Sequence, residues 1–172
     1  VAAMAVWEAV ARVDFVPRTT EADYIYYQNN TSNWSFLGRI GGQQSVNLID
    51  WWAKYLIVHE LGHALGLLHE QQRADRDTYV QINWANIQAG QQGNFTIQAS
   101  PMHFGDYDFD SVMHYDAWTW SANGEPTITV LPPNESWQFR IGHLSYISNG
   151  DAETMAFLYG ARTDCNGNGV FD

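Results

Sequence analysis

The stretch His59-Glu60-Leu61-Gly62-His63-Ala64-Leu65-Gly66-Leu67-Leu68-His69 restricts most narrowly how this chain can fold. Residues i and i+4 lie one turn apart on a helix, so His59 and His63 project from the same side. A helix continued for six more residues would carry His69 past them. The chain must therefore turn back, and Gly66 stands where the turn is needed, able to take the positive φ that other residues resist.

Three converging imidazoles have the make-up of a zinc site, in which nitrogen ligands sit about 2.0–2.1 Å from a tetrahedral ion. Three neutral ligands leave a fourth position for water, the mark of a catalytic rather than a structural site. An ion there lowers the pKa of its water to about 7. Glu60, next to the first ligand, is placed as a general base. The bland alternative is a helix with two surface histidines and a chance third. Six histidines in 172 residues make that a poor account of the spacing.

Periodicity organises the rest. Residues 1–11 read as an amphipathic helix carrying Ala3, Trp7 and Val10, with no capping residue ahead of Val1. Residues 24–27, 36–40 and 45–49 read as strands. Residues 51–65 have the best helical pattern, with Trp52, Leu56, His59, Glu60 and His63 along one side. From 67 to 149 the pattern is poor, with strand-like pieces at 79–82 and 127–131. A final helix is expected over 150–159. The chain has 8 Trp, 9 Tyr and 8 Phe, which predicts a loop-rich fold pinned by aromatic contacts.

Composition excludes some classes. Eight Lys and Arg against 19 Asp and Glu, a net charge of -11, argue against nucleic acid and anionic membranes as partners. No run approaches the roughly 18 apolar residues of a membrane span. The lone Cys165 cannot form an internal disulfide. Residues 1–16 carry Glu8, Arg12 and Asp14 and do not read as a signal peptide.

The histidine stretch continues with Glu70, Arg73 and Asp75-Arg76-Asp77, and a second block reads Ser111-Val112-Met113-His114-Tyr115. Further pieces are Phe15-Val16-Pro17-Arg18-Thr19-Thr20, Gly38-Arg39-Ile40 with Gln43-Gln44, and Asp77-Thr78-Tyr79-Val80 with Ile82-Asn83. With these the chain resembles the astacin family of metzincin metallopeptidases, from about residue 15 to 159. The resemblance implies an α+β, two-lobed zinc endopeptidase with zinc in the cleft. Residues 1–66 would hold a twisted sheet, a backing helix and the active-site helix, lacking the family's first strand ahead of Val1. Residues 67–161 would form an irregular lobe with a terminal helix.

The same resemblance assigns roles. Glu60 would take the proton of the attacking water and pass it to the leaving amine. Tyr115 would be a fifth zinc ligand that swings away to stabilise the oxyanion; otherwise it is a buried tyrosine. Met113 would form a hydrophobic floor under the ligands; otherwise it is core filler. Glu70 would contact the new amino terminus after propeptide removal, orient His69, or pair with Arg73 or Arg76. Family members typically carry two disulfides, and Asn33 stands where the family often has Cys. A protein or peptide substrate would lie extended along the edge at 33–39, with Trp34 and Phe36 as subsite residues or ordinary strand packing. A secreted monomer with a propeptide in its precursor is expected.

Asp164, Asn166, Asn168 and Asp172 alternate oxygen side chains like the start of a calcium loop, or begin a linker over 162–172. Asp106, Asp108 and Asp110 read as a solvated acidic loop, and His103, His114 and His143 have no assigned role. Asn29, Asn30, Asn94 and Asn134 begin glycosylation sequons. Two rival functions are an inactive peptide-binding member and an adhesion module whose working part is the calcium-like tail.

Overall fold

Strand β3 (Gln43–Leu48) organises the first sheet of the computed structural model, which describes residues 2–98 and 104–162. Its Val46 and Leu48 are fully buried. Strand β1 (Tyr24–Asn29) pairs with it in parallel, and β2 (Trp34–Ser35) antiparallel, giving the order β1-β3-β2. Asn47 of β3 is also fully buried. Its Oδ1 accepts from Gln28 Nε2 at 2.6 Å and Asn30 Nδ2 at 2.8 Å, and its Nδ2 donates to the Trp34 carbonyl at 3.3 Å. The buried amide is thereby satisfied and ties all three strands.

The expected strand at 36–40 is absent. Gly38 takes φ +62°, and its N–H donates to the His63 carbonyl at 2.8 Å instead of to a ladder. Gly41 and Gly42, at φ +83° and +66°, then turn the chain into β3. Asn33 makes a polar tie at this end of the sheet, its Oδ1 accepting from Ile49 N–H at 2.8 Å.

Helix α1 (Met4–Glu8) is shorter than the periodicity suggested and lacks a side-chain cap. Helix α2 (Lys54–Ala64) starts later than expected. Asp50 Oδ1 accepts from Trp52 N–H at 2.8 Å, a local turn that leaves the Trp52 side chain 94% exposed and off the helix. Helix α3 (Asn149–Tyr159) lies where the pattern put it.

The chain divides into two compact units, residues 1–67 with 149–172, and residues 68–148. Helix α3 therefore belongs with the first unit, not with the lobe over 67–161 that the family resemblance implies. The physical ties are specific. Tyr159 Oη donates to the Leu65 carbonyl at 2.8 Å, Arg12 N–H donates to the Gly160 carbonyl at 2.9 Å, and Ala11 bridges Ala161. Arg162 donates to the carbonyls of Ala11 and Val13.

Among the described residues of the second unit, only β4 (Val80–Ile82) and β5 (Ile128–Val130) form a sheet, as an antiparallel pair. Short 3-10 turns and loops make up most of the rest. The core joins Val80, Ile82, Ile128 and Val130 to Phe95, Tyr107 and Phe109. Tyr79 stacks on Tyr107 at 4.7 Å and Phe109 on Trp137 at 6.0 Å. Rigid rings thus do the work that regular backbone does in the first unit. The fold is α+β, as expected. Among the described residues no helix is long and apolar enough to cross a membrane.

Candidate metal centre

Helix α2 stops where the histidine spacing requires. Gly66 takes φ +103°. Leu67 N–H donates to the Gly62 carbonyl and Gly66 N–H to the His63 carbonyl, both at 2.9 Å. These two bonds form a Schellman stop, which satisfies carbonyls that the ended helix would leave bare.

The ring nitrogens of His59, His63 and His69 offer one ligand atom each within 4.8 Å of one another. His63 Nε2 lies 3.1 Å from His59 Nε2. Two nitrogens on a tetrahedral zinc ion would be about 3.3 Å apart, so this pair is already near its bound spacing. His63 Nδ1 faces the Leu67 carbonyl at 2.8 Å and His69 Nδ1 faces Gln72 Oε1 at 3.2 Å. Each Nδ1 therefore carries the proton, and each Nε2 lone pair is left for a metal. Burial pushes the His63 imidazole down to about 3, helped by the His59 ring, which keeps it in the neutral form a ligand needs. Leu67 and Gln72 were not apparent as partners from the sequence. One acts through its backbone, and the other is a neutral amide in a run of polar residues.

Glu60 lies on the same helix and is 5% exposed. Burial pushes its carboxyl up to about 8, and its Oε2 has no hydrogen-bond partner. A buried carboxylate is stable only beside a cation or a proton donor. Three clustered imidazoles and one orphaned carboxylate oxygen fit a divalent cation with a protic ligand.

In the second unit the Tyr115 ring packs against His69, with centroids 4.4 Å apart. Met113 is fully buried, and its carbonyl accepts from Glu70 N–H at 3.2 Å, which brings this turn beside the third histidine. Glu70 Oε1 accepts from Asp108 N–H at 2.8 Å and pairs with Arg73 at 3.3 Å, one of the alternatives open at the sequence level. The buried Arg73 also binds both oxygens of Asp75 and the carbonyls of Phe104, Gly105 and Asp106.

Trp34 and Phe36 meet edge to face at 5.3 Å and are each about two-fifths exposed. Trp34 lies on the two-residue edge strand β2, and Phe36 follows it. His114 is buried, and burial pushes its imidazole down to about 4. His143 pairs with Asp110 at 3.2 Å. His103 and the tail residues Asp164, Asn166, Asn168 and Asp172 lie outside the described residues.

The model of the Astacin peptidase family matches residues 1–160. Zinc metalloproteinase nas-13 of Caenorhabditis elegans is 42% identical over 156 residues, spanning 88% of this chain and 34% of that protein. High choriolytic enzyme 1 of Oryzias latipes is 39% identical over 164 residues, spanning 93% of this chain and 59% of that protein. The solved structure of that enzyme, described as a hatching enzyme zinc-protease, superposes with a TM-score of 0.85, covering 93% of this chain and 80% of that one. This chain thus spans about a third of the nas-13 protein and three-fifths of the choriolytic enzyme. By its histidine cluster, its fold and a family match over nearly its whole length, the chain belongs to the astacin family of peptidases.

Proposed function

We propose that the chain is a zinc-dependent endopeptidase that hydrolyses peptide bonds in proteins, with residues 1–161 as its catalytic domain. The observation that carries this is the three-histidine cluster on a helix whose one buried carboxylate, Glu60, has an orphaned oxygen. Zinc held by His59, His63 and His69 would polarise the scissile carbonyl and bring the pKa of water down to about 7. Glu60 takes a proton from that water at Oε2 and delivers it to the leaving amine. Its raised carboxyl suits both halves of the task, and a neighbouring cation favours the ionised form that begins it.

Tyr115, packed on His69, would supply a phenol donor to the developing oxyanion and could offer a further oxygen ligand to the zinc. The substrate lies extended along the free edge of β2, with Trp34 and Phe36 contacting its side chains. Secretion, a propeptide in the precursor, a monomeric state and calcium on the tail residues are further parts of this reading. They rest on family resemblance and on the spacing of Asp164, Asn166, Asn168 and Asp172.

Casein cleavage by the zinc-loaded protein, with and without a chelator, tests the reading. Chelator-sensitive cleavage is expected, and Glu60→Ala should keep its zinc and lose activity by orders of magnitude. Cleavage that survives the chelator, or wild-type rates in Glu60→Ala, would refute it.

A further inference from the structure

We propose that Gln71, His114 and Gly142 are positioning residues that clamp the backbone of Tyr115, so that its phenol is delivered from a fixed Cα. The proposal rests on the role given to Tyr115 above. All four residues belong to the second unit.

Both peptide groups of Tyr115 end on buried side chains. Its N–H donates to Gln71 Oε1 at 3.1 Å. Gln71 is fully buried, and its own carbonyl is held by Arg76 Nη1 at 2.8 Å. The bond to Tyr115 fixes the orientation of the Gln71 amide, because a flipped amide would set N–H against N–H. That orientation leaves Gln71 Nε2 buried without a partner. Leucine or methionine would fill the same volume without an unsatisfied donor, so space-filling does not account for glutamine here.

The Tyr115 carbonyl accepts from His114 Nδ1 at 2.7 Å. The other ring nitrogen, Nε2, accepts from the Tyr107 hydroxyl at 2.7 Å. Tyr107 is itself stacked on Tyr79 and set edge-on to Phe109. The imidazole is thus held at both ends and cannot release the carbonyl by rotating.

Gly142 closes the third side. A Cβ built there would lie 2.0 Å from the Asp116 nitrogen and 2.6 Å from the Tyr115 carbonyl carbon. With φ +76°, Gly142 presses bare backbone on the 115–116 peptide, where any side chain would displace it. Tyr115 lies in a segment with no regular ladder, so these contacts replace the support a strand or helix would provide. Positioning matters because a misplacement of about 1 Å can cost about 100-fold in rate.

The test compares Tyr115→Phe, Gln71→Met, His114→Leu and His114→Asn, singly and with Tyr115→Phe. Tyr115→Phe should lower kcat about 100-fold with KM unchanged. Gln71→Met and His114→Leu should each lower kcat about tenfold with KM and zinc content unchanged, and add no loss on top of Tyr115→Phe. In His114→Asn, Nδ2 takes the place of Nδ1, and kcat should return most of the way. In metal-free protein, hydrogen exchange at the Tyr115 amide should speed up at least tenfold in Gln71→Met and stay slow in His114→Asn. Multiplicative losses in the Tyr115→Phe background, or an unchanged amide in Gln71→Met, would overturn the clamp. Wild-type kcat in Tyr115→Phe would refute the role of Tyr115 itself, while the exchange rates decide the clamp separately. If His114→Leu does not fold, Gln71→Met carries the same comparison.

Discussion

Trp7 Nε1 donates to the Val58 carbonyl at 3.0 Å, one residue ahead of the first candidate ligand, His59. Trp7 is fully buried, so this one side chain both fills space behind α2 and fixes its height. Trp7→Phe keeps most of the packing and loses the bond, and should destabilise the protein by about 1–2 kcal/mol. Trp7→Ala should cost about 3–5 kcal/mol. Urea unfolding measures both, and a Trp7→Phe variant as stable as wild type would show that the bond contributes nothing.

Gly66 at φ +103° permits the Schellman stop that lets His69 return toward the helix. Gly66→Ala should destabilise by about 1–2 kcal/mol, because a Cβ resists that backbone region. Zinc affinity, read by competition with a chromogenic chelator, should fall with it. Unchanged stability and affinity together would show that the turn tolerates a side chain.

Metal removal should separate binding from chemistry. A ligand at about 1,000 times its Kd stabilises the folded state by about 4 kcal/mol, so stripping zinc should lower Tm clearly. Glu60→Ala should keep that shift, since Glu60 is not among the clustered nitrogens. His63→Ala should abolish it. A Tm indifferent to zinc in the wild type would argue against the cluster as a binding site.

Tyr27 offers a pH test remote from the histidines. Its hydroxyl is buried without a partner, beside a groove of about 550 Å³ that Met4, Phe15 and Tyr24 also line. Burial raises its ionisation well above the ordinary value near 10. A raised folded-state pKa means that stability is fully present below pH 10 and is lost as the pH climbs past it. Tyr27→Phe removes the orphaned oxygen and should be neutral or stabilising by about 1 kcal/mol at pH 7. Its advantage should widen above pH 10. A loss of stability at neutral pH would mean the hydroxyl has a partner in solution.

The legible parts of the sequence were those written in local spacing. The His59–His63 interval and the position of Gly66 foretold a helix, its stop and the clustering of His59, His63 and His69, because each depends on residues a turn or two away. Val46 and Leu48 marked the central strand in the same way. The 36–40 strand failed because Gly38 bonds across to the His63 carbonyl, a contact no window of neighbours contains. The same limit hid the ties of Tyr159 to Leu65 and of Gln71 to Tyr115, 94 and 44 residues apart. No local pattern marks His114, because its two partners are a backbone carbonyl and a tyrosine seven residues back.

The division of the chain has a consequence for the order of its synthesis. Residues 68–148 are an uninterrupted stretch, whereas the first unit needs residues 149–162 to complete it. A ribosome delivers the chain from the amino end, so the middle unit can close while the first still lacks α3. The backing for Leu65, Ala11 and Val13 comes from Tyr159, Ala161 and Arg162, which emerge some 90 to 150 residues later. The helix bearing His59 and His63 is therefore made early but reaches its full support only after the intervening unit has been made.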